Sequence, residues 1–190
     1  MSRADRTGVR GGLLALLCLL AAQAGAQGIG WPDTVGYRHL WAIRNLHGMR
    51  QDALELGIHP ESWRASPLGM RLAGRVDVTG GVLRRNDERT AFVSVGPVIE
   101  WHAPLGLGPA FLELGISPTF LEDTEFRDQG TETELGSNFQ FTSHAAIGLA
   151  FGARRQFVVA YRIQHISNAN VDADNTGVDF DGITARWRFR

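Results

Sequence analysis

The chain has 190 residues, 19 basic and 20 acidic side chains, a net charge near −1 and a single cysteine. That length suits one ordinary domain. Nucleic acid is excluded as a partner by the missing basic excess, because phosphate backbones are bound through cations that displace their counterions.

The first 26 residues read as a secretory signal. Arg3, Arg6 and Arg10 are followed by the apolar run Leu13 to Ala22 and by Ala24-Gly-Ala26, the basic, apolar and small-residue order of a cleaved leader. The apolar run is too short to span a membrane as a helix. Cleavage after Ala26 would leave a domain of residues 27–190. The one cysteine, Cys18, would leave with the leader, so the exported domain cannot rely on disulfides.

Within residues 27–190 no stretch approaches the roughly 18 apolar residues of a spanning helix. Alternation with a period of two recurs instead, the signature of strands with one face in each environment. Val35, Tyr37, Trp41 and Ile43 make a weak first stripe, broken at His39 and Leu40. Leu54, Leu56 and Ile58 follow, alternating with Ala53, Glu55 and Gly57. Met70, Leu72, Gly74, Val76 and Val78 alternate with Arg71, Ala73, Arg75, Asp77 and Thr79. Next come Ala91 to Trp101, Ala110 to Phe120 and Phe139 to Phe151. Phe157, Val159, Tyr161 and Ile163 then alternate with Val158, Ala160, Arg162 and Gln164, and Ile183, Ala185, Trp187 and Phe189 with Thr184, Arg186 and Arg188.

Seven clear segments and one weak one suit an eight-stranded antiparallel transmembrane β-barrel, because single-chain bacterial barrels close with an even strand number. The apolar stripes then face lipid. Arg71, Arg75, Asp77, Glu100, Glu113, His144, Arg162, Arg186 and Arg188 face inward, where their mixed signs suit an ion-pair network and not an open pore. A soluble sandwich or lipocalin-type barrel would need the opposite facing. The leader weighs against it, as do aromatics near strand ends (Trp101, Phe120, Phe139, Trp187, Phe189). His59-Pro-Glu-Ser, His102 to Gly108 and Ala153 to Gln156 read as short periplasmic turns. Arg84 to Arg89, Glu122 to Gly136 and Asn168 to Val178 read as the outer loops, where connections run longer.

The seventh segment continues its lipid stripe with His165 and Ser167. Two strand positions separate their Cα atoms by roughly 6.6 Å, within reach of a histidine–serine hydrogen bond at a strand end. The eighth segment's outward register runs back to Asp181 and Asp179, so a carboxylate can approach His165 from the next strand. A nucleophile, a base and an orienting acid are the parts of an acyl-transfer triad. Asn168, Asn170, Asn175 and the loop backbone supply candidate donors to an oxyanion.

His165-Ile-Ser167-Asn-Ala followed by Asn175-Thr-Gly177-Val-Asp179 resembles the signature of the outer-membrane lipid A 3-O-deacylases, and weaker similarity reaches back toward Met49. The resemblance implies an eight-stranded barrel in the bacterial outer membrane. Its substrate would be lipopolysaccharide, hydrolysed at the ester-linked 3-hydroxyacyl chain on position 3 of lipid A. It implies Ser167 as nucleophile, His165 as base and Asp179 as the acid, with no metal or organic cofactor. Two positions depart from the family pattern: aspartate stands at 179 for glutamate, and asparagine at 170 for glycine. Each puts full activity in question.

Other residues carry plainer expectations. Asp181 shares the face of Asp179, and Asp172 and Asp174 lie in the same loop, where scattered carboxylates are usually solvated. His144 reads as a lumen residue, and His39, His47, His59 and His102 show no ligand spacing. Arg84, Arg85 and Arg89 read as a solvated turn, with contact to the anionic phosphates of the substrate as the alternative. A non-catalytic barrel, or an outer-membrane phospholipase or acyltransferase, remains open on the residues alone.

Overall fold

A computed structural model describes residues 30–60, 63–65, 71–105, 108–128, 131–170 and 176–189. The expected leader at 1–26 lies outside them. The strands are β1 (Thr34–Arg44), β2 (Arg50–Ile58), β3 (Arg64–Ala65), β4 (Arg71–Arg85), β5 (Glu88–Leu105), β6 (Gly108–Leu121), β7 (Glu125–Asp128), β8 (Thr131–Glu134), β9 (Phe139–Phe151), β10 (Phe157–Ser167) and β11 (Val178–Arg188).

Eight of these run in the order β2-β1-β11-β10-β9-β6-β5-β4, and β4 pairs back onto β2. Each neighbouring pair is antiparallel. The closing pair leaves no unpaired edge, which a lipid environment would not tolerate. The weak first stripe is a full strand: Thr34 to Trp41 pair on one side with β11 and on the other with β2. Among the described residues no helix is long and apolar enough to cross a membrane.

The period-two pattern sorts the wall as expected. Leu54, Leu56, Ile99, Leu112, Leu114, Ile116, Ile147, Leu149, Ile163 and Ile183 are all exposed on the outer face. So continuous an apolar surface suits hydrocarbon and would be a liability in water. The soluble alternative, with these stripes turned inward, is overturned.

The lumen is layered. Glu113 is the hub of a charged layer, with Arg186 Nη1 at 2.6 Å, Arg162 Nη2 at 2.9 Å, His144 Nε2 at 3.1 Å and Arg75 Nη2 at 3.2 Å. Glu100 pairs with Arg75 and takes Arg188 Nη2 at 2.7 Å, while Asp77 takes Arg75 Nη2 at 2.8 Å. Buried charges persist only when paired this closely. Glu55 and Arg38, 3.5 Å apart, join the network. Arg71 does not: at the open start of β4 it is exposed.

Toward the Ser167 end the lumen turns apolar. Leu40, Ala53, Leu83, Phe92, Leu121, Ile166, Val178 and Phe180 fill it, together with Leu46 and Met49 from the β1–β2 turn, Phe126 of β7 and Leu135 just after β8. Leu40, fully buried in this plug, interrupts the first stripe because it belongs to the inner face. A smaller cluster of Phe111, Ala146, Ala150, Val158 and Ala160 lies elsewhere in the interior.

Two connections differ from expectation. Arg84 to Arg89 is no long loop, since β4 and β5 meet through the two-residue turn Asn86-Asp87, with Asn86 at φ 53°. The β2–β4 connection, expected to be short, spans residues 59–70 and carries β3, which pairs on β4.

Candidate active site

β10 ends at Ser167, and β11 begins at Val178. Their antiparallel register sets His165 directly opposite Asp179 and Ile163 opposite Asp181. His165 Nδ1 lies 2.6 Å from Asp179 Oδ1, and both side chains stay accessible on the outer wall at 46% and 31%. That contact occupies Nδ1 and leaves Nε2 as the ring's reactive nitrogen. Aspartate reaches the imidazole although it is a methylene shorter than glutamate, because the two residues are direct cross-strand partners. Asp181 is engaged elsewhere, accepting a hydrogen bond from the Tyr161 hydroxyl.

Ser167 and His165 share the outer face, two positions apart. Gly177 shows how close they come. A Cβ built on that glycine would sit 2.7 Å from His165 Cε1, 3.1 Å from Nε2 and 3.3 Å from Ser167 Cβ. The imidazole edge and the serine therefore flank one point, which stays open because residue 177 has no side chain. In the resting arrangement no hydrogen bond joins Ser167 Oγ to the ring among the described residues. Such bonds are commonly looser before substrate binds.

After Ser167 the chain turns sharply, with Ala169 at φ 54° and Asn170 at φ 60°. Both are left-handed, a conformation asparagine adopts more readily than most residues. Buried Asn168 fastens the turn, its Oδ1 accepting the Asn170 N–H at 3.0 Å. The Asn170 amide, one expected oxyanion donor, is thus committed within the turn. Asn175, Asp172 and Asp174 lie outside the described residues.

Asn45 was not expected at the site. It sits in the β1–β2 turn at φ 58°, and its Nδ2 donates to the Gly177 carbonyl at 2.5 Å. The only signal in the sequence was an asparagine just past a strand end.

Four of the five other histidines have carboxylate partners: His39 with Asp52 at 2.6 Å, His59 with Asp33 at 2.7 Å, and His144 and His102 in the lumen. No group of three metal-ligating side chains occurs among the described residues. A cavity of about 820 Å³ lies at the opposite end, lined by residues such as Asp33, His59, Arg64 and Arg154, and contains none of the site residues.

A closed eight-stranded barrel with an apolar outer belt and a polar site on its outer wall defines a small enzyme-type barrel of the outer membrane. Residues 52–188 match the family model described as Lipid A 3-O-deacylase (PagL), and the chain belongs to that family. A structure described as the crystal structure of the outer membrane enzyme PagL superposes with a TM-score of 0.65 at 20% identity. The match covers 81% of this chain and 98% of that one. A search of curated proteins gave no match.

Proposed function

We propose that this protein hydrolyses the ester-linked 3-hydroxyacyl chain at position 3 of lipid A, using Ser167, His165 and Asp179 as a catalytic triad in the outer leaflet. The single observation that carries the reading is the His165–Asp179 pair set beside Ser167 on a lipid-facing wall. Polar side chains there are costly unless the substrate is itself a lipid. Membership of the deacylase family supplies the substrate class.

Acyl chains would lie along the apolar stripes, bringing the ester carbonyl to the rim. His165 Nε2 takes the Ser167 proton as Oγ attacks the carbonyl carbon, and Asp179 holds the ring and balances the imidazolium. We assign oxyanion stabilisation to backbone N–H groups of the turn that follows Ser167. Collapse of the tetrahedral intermediate returns the proton from His165 to the sugar oxygen, which leaves as the hydroxyl. Water, deprotonated by His165, then cleaves the acyl-serine and frees the hydroxy acid.

The test is mass spectrometry of lipid A from a host expressing this chain beside hosts expressing Ser167→Ala or His165→Ala. Loss of one hydroxyacyl chain with the intact triad alone supports the proposal, and fragmentation places the cleaved position. Unchanged lipid A with folded protein in the outer membrane would favour a non-catalytic barrel. An altered phospholipid profile would favour another ester substrate.

A further inference from the structure

We propose that the wall opposite the catalytic strand holds a binding site for the phosphate of a second, non-substrate lipid. Cross-strand register places Arg50 of β2 opposite Arg84 of β4, and Arg84 opposite Arg89 of β5. All three are exposed at strand positions that point outward, at the same end of the barrel as Ser167. Directly opposed side chains have Cβ atoms roughly 5 Å apart, and like charges so placed destabilise a sheet. Among the described residues one carboxylate forms an ion pair with the row: Asp52, two residues from Arg50, with Oδ2 3.7 Å from Arg84 Nη1. Its Oδ1 is already shared by Tyr37 and His39, each at 2.6 Å. Among the described residues no ion pair reaches Arg50 or Arg89.

Three guanidinium groups across two strand spacings span about 10 Å. That is a fitting width for a phosphate gripped by forked donors. Trp41 is the next residue in the same row, opposite Arg50, and half exposed. An aromatic there marks headgroup depth. Counting around the barrel, β4 stands four strands from β10, diametrically across an eight-stranded wall. A substrate whose ester lies at Ser167 cannot also fill this row, so the occupant is another phosphorylated lipid of the same leaflet. The inference rests on the membrane placement of the barrel and not on the triad.

The experiment uses the folded protein in zwitterionic micelles, titrated with dipalmitoyl phosphatidic acid or dipalmitoyl phosphatidylcholine and followed by native mass spectrometry. The expected result is preferential retention of phosphatidic acid, weakened about tenfold or more in the triple variant R50Q/R84Q/R89Q and unchanged in Ser167→Ala. Phosphatidic acid should also raise the melting temperature of the parent and not of the triple variant. Without lipid the triple variant should melt no lower than the parent. Equal retention of the two lipids by the parent, or equal phosphatidic acid binding by parent and variant, overturns the site. Should the triple variant fail to fold, Arg84→Gln alone decides: weaker retention supports the row and undiminished retention overturns it.

Discussion

Gly177→Ala is the substitution whose outcome the geometry sets most directly. The new Cβ would lie 2.7 Å from His165 Cε1 and 3.1 Å from Nε2. Relaxed carbon contacts begin near 3.5 Å, so the ring edge must retreat by roughly 0.8 Å. It cannot retreat freely, because Nδ1 is tied to Asp179. Rotation about that tether carries Nε2 away from Ser167. Misplacing a catalytic group by about 1 Å costs on the order of 10²-fold, near 2.7 kcal/mol of barrier. We expect kcat to fall roughly 30- to 100-fold with KM little changed. Release of hydroxy acid from purified lipid A in mixed micelles measures it, with heat-modifiable migration reporting the fold. Gly80→Ala is the control, since no heavy atom lies within 4 Å of its Cβ position. If Gly177→Ala keeps kcat within about threefold of the parent, the ring is not held as described and the base assignment fails with it.

Asp179→Asn should lower kcat by up to about 10⁴-fold, whereas Asp181→Asn, which loses only the Tyr161 contact, should cost far less. The reverse order would move the acid to Asp181. Asn45→Ala removes the tie to the Gly177 carbonyl and should lower kcat by about tenfold at unchanged stability, so a drop in unfolding midpoint instead would make Asn45 merely structural. Glu113→Ala leaves Arg75, Arg162 and Arg186 without their shared carboxylate and should cost about 3–5 kcal/mol in urea unfolding from micelles. A loss below about 1 kcal/mol would show that the layer re-pairs around the gap.

Alternation made the barrel readable because a strand's two faces meet two solvents, and a period of two records that directly. It told which side each residue faces but not what waits there. Leu40 and Phe180 face inward as surely as Arg75, yet they meet the apolar plug and not the charged layer, which depends on depth along the lumen. Arg71 reads like Arg75 and lies outside the network for the same reason. A carboxylate beside His165 was legible because register propagates to the next strand; the stripe left Asp179 and Asp181 open, and the family resemblance singled out Asp179. Asn45 was not, because its contact with Gly177 joins residues 132 apart and exists only once the barrel closes. The arginine row was hidden likewise: Arg50 and Arg84 become neighbours through the β2–β4 pairing that completes the ring.

If His165 and Asp179 serve the proposed reaction, their place on a convex wall and not in a cleft makes encounter with substrate a planar affair. Lipids would then reach the serine by lateral diffusion, so turnover should follow the mole fraction of substrate in the leaflet and not its bulk concentration. A soluble substrate mimic finds no enclosure there to reward it, and an effective inhibitor must first partition into the membrane.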